Sequence, residues 1–324
     1  MRAVRCHELV GPSGLCVDAL PEPEAGAGEV VIDVKAAGVN FPDVLLTYGK
    51  YQFRPPPPFV PGGEAAGVVS AVGAGVTRVA VGDRVAVTLV HGAFAERIVV
   101  PEAAVIPVPD GVDFAVAAAT LLTYATSWHA LVDRAGLKAG ETLLVLGAAG
   151  GVGIAAVEIG KLLGARVIAA ASSDEKLAFC RAHGADEGIQ YAREDLKERT
   201  RRLTNGDGAD VVYDPVGGGF TDAALRSIAW EGRYLVVGFA NGEIPKIPLN
   251  LVLLKGCQIV GVFWGAFVAR APERHRANAA QIFAAVAAGQ LRPHVDATLP
   301  FARAGGALMR MERREVMGKL VLVP

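Results

Sequence analysis

The chain has 324 residues, 52% of them hydrophobic and 20% charged, with 32 Lys and Arg against 33 Asp and Glu. That length accommodates two domains, and the even charge balance leaves no electrostatic footprint for nucleic acid or an anionic membrane. Four scattered cysteines, Cys6, Cys16, Cys180 and Cys257, show no CxxC or Cys/His ligand spacing, which argues against a disulfide framework or a zinc lobe and for a reduced, cytoplasmic setting.

In chain order, short Val- and Ile-rich runs bounded by Gly, Pro or Asp predict strands at 1–5, 29–36, 67–72, 84–87 and 95–100. Such spacing suggests a small barrel-type fold. Residues 21–28 form a polar loop, and 40–46 open a short helix. The run 55–58 is four prolines and reads as a stiff loop rather than a polyproline ligand. Residues 114–132 lack charge and are long enough to span a bilayer, but they carry Thr, Ser, Tyr and His and are flanked by Asp113 and Asp133. They predict a buried helix or helix pair.

From about residue 107 the pattern changes. Apolar runs at 142–147, 166–171, 188–191, 211–215, 233–239 and 257–263 alternate with helical periods at 152–163, 174–182, 196–204, 220–229 and 249–254. That alternation predicts a parallel sheet wound on both faces. A long helix at 271–288 and a terminal strand at 318–323 follow. The expected class is α/β, a barrel-type domain plus a Rossmann doubly wound domain.

The second half is organised around 143–153, LLVLGAAGGVG. An apolar strand passes into a Gly-rich turn and then a helix, the context in which such a turn binds a dinucleotide. Glycines bring backbone N–H groups close to a pyrophosphate, and the helix N-terminus adds partial positive charge. Ala149, Gly150, Gly151 and Val152 are the expected contacts.

The segments AAGVNFPDVLLTYGKY (36–51), PFVPGGEAAGVVSAVGAGV (58–76), GDRVAV (82–87), LGAAGGVG (146–153), VVYDPVGG (211–218) and GKLVLVP (318–324) occur in order and cover nearly the whole chain. Through them the sequence resembles the zinc-independent quinone oxidoreductase branch of the medium-chain dehydrogenase/reductase superfamily. The resemblance implies a GroES-like substrate domain from residues 1–122 and 267–324, a Rossmann domain from 123–266, and an active-site cleft between them. It also implies a homodimer that pairs sheet edges near 257–263. Zinc-dependent relatives carry a Cys after the first Gly-Val step and a Gly-His-Glu motif; here stand Asn40 and Gly62-Gly63-Glu64. Glu64 alone is a poor zinc site and is expected to make loop hydrogen bonds. The six histidines show no ligand spacing, so no metal is expected.

The second Rossmann strand ends in a small uncharged tip before Ser172-Ser173-Asp174-Glu175-Lys176. An NAD site places an acid there to hold the ribose 2′-OH. The tip instead leaves room for a 2′-phosphate, with Lys176 as counter-charge. Asp174 is either that ribose acid, displaced by a few residues, or a helix-terminal residue, and Ser172 and Glu175 have capping-box spacing. Lys176 and Tyr191 match family positions that contact the 2′-phosphate, and NADPH is the expected cofactor, with Ser172 beside it. The resemblance also places Thr126 and Lys319 near the cofactor; read without it, Thr126 is a buried Thr bonded to the preceding helix turn and Lys319 a solvated Lys. Phe239 and Asn241 follow a strand end, where open sheets bind cofactors. Phe263 fits cofactor contact and core or dimer packing equally.

Without a metal to stabilise an alkoxide, the acceptor must already be electron-poor: a quinone or an α,β-unsaturated carbonyl. Asn40 and Tyr51 match positions lining the family's nicotinamide–substrate cleft and are expected to place a donor on the developing oxyanion, Tyr51 also passing a proton. The expected function is NADPH-dependent quinone reduction. Enoyl-thioester or enone reduction is the first alternative, and a non-catalytic, crystallin-like NADPH-binding protein the second.

Overall fold

In the computed structural model, which describes residues 1–324, the chain packs as two units. One comprises 1–122, 279–289 and 293–324; the other comprises 123–278 and 290–292. The first begins with β1 (Arg2–Cys6) and β2 (Leu15–Ala19), an antiparallel hairpin. Next come β3 (Glu29–Gly38), α1 (Phe41–Thr47), β4 (Glu64–Val72), β5 (Arg84–Thr88), β6 (Arg97–Pro101) and β7 (Val105–Pro107). The segment at 114–132 is α2 (Phe114–Trp128), continued without a break by a π-helical turn, His129–Arg134. It is one helix and not a pair, and 78% of its most apolar window is buried, as expected for a core helix.

The second unit holds β8 (Thr142–Leu146), α3 (Gly151–Leu162), β9 (Arg166–Ala171), α4 (Asp174–Ala182), β10 (Glu187–Gln190) and α5 (Leu196–Leu203). It continues with β11 (Ala209–Asp214), α6 (Phe220–Arg226), β12 (Ile228–Val236), α7 (Leu249–Lys255), β13 (Gln258–Gly261) and α8 (Trp264–Arg270). The six strands are parallel in the order β10-β9-β8-β11-β12-β13. Strands β8 and β9 are central and covered on both faces, which is why they read as unbroken apolar runs. Chain order reverses between β8 and β11, and the Gly-rich turn leaves β8 at that switch point, where open α/β sheets bind ligands.

The chain returns through α9 (Pro272–Ala287), β14 (Val295–Pro300), α10 (Ala304–Glu312) and β15 (Lys319–Val323). β15 joins β3 antiparallel, so the first unit's seven-stranded sheet runs β14-β15-β3-β4-β5-β7, with β6 also on β3. Its core includes Ile32, Val69, Val85, Phe94 and Leu320. The helix expected over 220–229 stops at Arg226; Ile228 instead pairs with Ala209 and starts β12, so strand pairing overrides local helical propensity. Two elements after residue 290 were not expected. β14 is half exposed with little periodicity, and α10 opens Ala-Gly-Gly, a poor helix start.

Candidate active site

In the Rossmann unit the turn after β8 is built for close backbone approach. Gly147 sits at φ 58°, and a Cβ at Gly153 would lie 2.3 Å from the Gly147 carbonyl oxygen. Gly150 caps α3 with no side-chain hydrogen bond, and the first turn contains no acid. Its leading N–H groups are therefore uncapped by a side chain and have no acid in their own turn, which suits a diphosphate. Ser127 steadies the turn, donating to the Val152 carbonyl at 2.9 Å while bonded to the Tyr213 hydroxyl at 2.8 Å. Thr126, buried on α2, precedes it.

At the tip of β9, Ser173 rather than Ser172 caps α4, accepting from the Lys176 backbone N–H at 3.3 Å. Ser172 is thereby released from capping, and its Oγ lies 3.4 Å from Lys176 Nζ. Asp174 is held by Arg193 at 2.6 Å on the surface, so its carboxylate is already committed. The Tyr191 ring lies against Phe220, centroids 4.6 Å apart. Serine, lysine and tyrosine thus stand at or next to two neighbouring strand ends with the nearby acid paired elsewhere. Beyond β12, Phe239 is partly exposed, and the Asn241 amide lies so close to Gly218 that a Cβ there would be 2.2 Å from Nδ2. Phe263 precedes α8 and is largely exposed.

In the barrel unit a buried polar network surrounds Asn40. Asn40 precedes α1, and Asp43 Oδ2 accepts its backbone N–H at 2.8 Å, half of a capping box. The Asn40 amide donates from Nδ2 to Glu64 Oε1 at 2.9 Å and to the Gly38 carbonyl at 3.3 Å. Its Oδ1 accepts from Lys319 Nζ at 2.6 Å. Both amide protons are therefore spent, so Asn40 is not the oxyanion donor the sequence suggested; what it retains is acceptor capacity on Oδ1. Glu64 does not make loop hydrogen bonds alone: it begins β4, is fully buried, and also accepts the Leu122 N–H at 2.9 Å. Gly38 must be glycine here, since a Cβ would lie 2.5 Å from Glu64 Oε1. Lys319 is neither solvated nor free for a ligand. Its three donors reach Val39 O, Asn40 Oδ1 and Glu64 Oε1, all within 2.7 Å.

Tyr51 follows α1 and packs against Cys6, Leu46 and Phe59. Burial, and then the charge of Asp43, raise its phenol above the usual range. Sequence reasoning missed Asp43, although its position three residues after Asn40 is a capping signal. Burial pushes the Asp43 carboxyl up to about 7, against the lowering effects of the Asn40 N–H and of Lys319. The folded protein then keeps this proton up to about pH 7, whereas the unfolded chain gives it up near pH 4. Stability from this group is therefore lost as pH rises from about 4 to 7 and stays lower above it. Asp43→Asn should remove that decline, of which about 2–3 kcal/mol falls between pH 5 and pH 8, read as the difference between variant and parent in urea unfolding at those two pH values.

One cluster of His, Cys and Asp has no ligand spacing in the sequence and forms only in the fold. His7 Nε2 lies 2.7 Å from Asp18, and Cys16 Sγ donates to the same carboxylate at 3.5 Å. The β1–β2 register brings them onto one face, but Arg5 stands 3.8 Å from Asp18 and already counters its charge.

Residues 26–110 match the alcohol dehydrogenase GroES-like domain and 151–283 the zinc-binding dehydrogenase domain. The chain is 38% identical to a quinone oxidoreductase-like protein 2 homolog of Nematostella vectensis, over 99% of this chain and 88% of that one. Among solved structures, Escherichia coli quinone oxidoreductase complexed with NADPH superposes with a TM-score of 0.93 at 29% identity, all of both chains covered. A mycobacterial protein complexed with NADPH gives a TM-score of 0.93 at 35% identity, again over both whole chains. Fold and site define an oxidoreductase of the medium-chain dehydrogenase/reductase type. Within it, the chain belongs to the quinone oxidoreductase family.

Proposed function

We propose that this protein is an NADPH-dependent quinone oxidoreductase that moves a hydride from nicotinamide C4 to a quinone or similar conjugated carbonyl without a metal. The observation that carries the reading is the uncapped, acid-free start of α3 beside a Ser172/Lys176/Tyr191 group. The first suits the diphosphate, and the second suits a 2′-phosphate. Support also comes from relatives named quinone oxidoreductase and neighbours crystallised with NADPH. Ala149, Gly150, Gly151 and Val152 are proposed to hold the diphosphate, with Thr126, Phe239, Asn241 and Phe263 as further cofactor contacts. Bound NADPH supplies the hydride; Tyr51 donates to the developing oxyanion, and Asn40 presents an acceptor. A zinc ion does not fit at Glu64. Neither Cys nor His stands at Asn40 or Gly63, and the Lys319 ammonium already occupies the carboxylate at 2.7 Å.

The test is a turnover panel with NADPH in the presence of EDTA: 1,4-benzoquinone and 9,10-phenanthrenequinone against crotonyl-CoA and simple enones. Quinone turnover unaffected by chelator is expected. Appreciable rates with enoyl-CoA alone would retire the quinone assignment, and NADPH binding with no consumption would favour the crystallin-like alternative. Lys176→Ala should raise the KM for NADPH about 10–50-fold while changing that for NADH less than about threefold, since only NADPH carries the phosphate.

We also propose a homodimer in a reduced cytoplasm. β13 is the outer strand of the sheet, and the large apolar side chains Trp230, Leu249, Leu253 and Leu254 are exposed in the same unit. A solution mass near twice 33.6 kDa is the expected result of sedimentation.

A further inference from the structure

We propose that Lys319 is a positioning residue which, with Glu64, fixes the direction of the Asn40 amide so that an acceptor, and never a donor, is left for a ligand. This rests on the reading above, in which Asn40 serves the site. An asparagine side chain has a donor end and an acceptor end of nearly equal size, and either can point to a ligand. Here the two ends are distinguished by charge. The Lys319 ammonium can only donate, and it lies 2.6 Å from one amide atom. The Glu64 carboxylate accepts, and it lies 2.9 Å from the other. The first atom must be oxygen and the second nitrogen. Reversing the amide would set N–H against ammonium and carbonyl against carboxylate in a buried site, where such contacts are costly.

The arrangement is closed on every side but one. All three Lys319 donors are used within the network. Glu64 Oε2 is taken by the Leu122 N–H, and the second Asn40 proton points to Gly38. Asn40, Glu64 and Lys319 are each at most 5% exposed. What remains is a lone pair on Asn40 Oδ1, polarised by the ammonium. It suits a hydroxyl or amide N–H on the ligand and excludes a second carbonyl or an anion.

The test is a mutant cycle. Lys319→Met alone strands the buried Glu64 carboxylate and is prone to misfold, so the charge-neutral pair Glu64→Gln/Lys319→Met is used beside Asn40→Ala and the triple variant. NADPH Kd by nucleotide fluorescence, quinone kcat and KM, and Tm are measured for each. If Lys319 and Glu64 act through Asn40, the pair and Asn40→Ala each lower kcat/KM or raise Kd about tenfold, and the triple variant falls within about twofold of Asn40→Ala. Lys319→Arg keeps a donor on Oδ1 and stays within about threefold of the parent. Multiplied losses in the triple variant, parental values in the pair, a silent Asn40→Ala, or a Lys319→Arg loss equal to the pair would each overturn the proposal. Should the parent reduce no quinone, the oxidoreductase reading fails on that result while the cycle is still read on NADPH Kd.

Discussion

Gly153→Ala is expected to weaken NADPH binding at least about 100-fold, a loss set by the turn's geometry rather than by any lost contact. The added methyl would sit 2.3 Å from the Gly147 carbonyl oxygen and 2.8 Å from Ala148 Cα, both backbone atoms that no side-chain rotamer can relieve. The helix start must move away from the end of β8, carrying the α3 N–H groups off the diphosphate. Gly147 is already in the left-handed region at φ 58°, so the loop has little slack to absorb the shift. We expect a drop in stability of about 2–3 kcal/mol as well, as for overpacking in a well-packed interior. Nucleotide fluorescence titration separates the two effects. Gly150→Ala is the control: its Cβ meets only the Gly147 oxygen, at 3.4 Å, and should be tolerated better.

Lys319→Met should destabilise the protein by about 3–5 kcal/mol, the cost of removing one partner of a buried ion pair. Glu64 would be left at zero exposure without its cation, its remaining partners being the neutral Asn40 amide and the Leu122 N–H. Asp43 would lose the cation that lowers its pKa, so its carboxyl should hold a proton to still higher pH. Restoring neutrality with Glu64→Gln should recover much of the stability without recovering turnover. Urea unfolding of the two variants at pH 7 measures the first claim, and quinone turnover the second. Equal stability of Lys319→Met and the parent would show that this network contributes nothing to the fold.

The doubly wound sheet was legible because its signals are local. A parallel strand covered on both faces needs an unbroken apolar run, and the helices between strands need a 3.6-residue period. Segments 166–171 and 174–182 match β9 and α4 residue for residue. The Gly-rich turn was legible for the same reason, since a close backbone approach between neighbours in sequence demands glycine where it occurs.

Where the signal lay in long-range pairing, the sequence was silent. Nothing local at residues 228–230 says strand; β11 recruits them, and Ile228 is buried as a result. His7, Cys16 and Asp18 have no ligand spacing, yet an antiparallel hairpin sets them side by side. Asn40, Glu64 and Lys319 show the same effect most fully. Sequence identified each as a separate residue, with Glu64 set aside as a loop acid and Lys319 divided between cofactor contact and solvent. They are 24, 255 and 279 positions apart in pairs, and β15 joining β3 beside β4 is what closes the distance to hydrogen bonds. Chain order therefore determined which elements form and where a diphosphate can rest. Only the tertiary structure decided which way the Asn40 amide faces, because a charge acts on whatever the fold brings within 3 Å of it, and sequence separation does not record that distance.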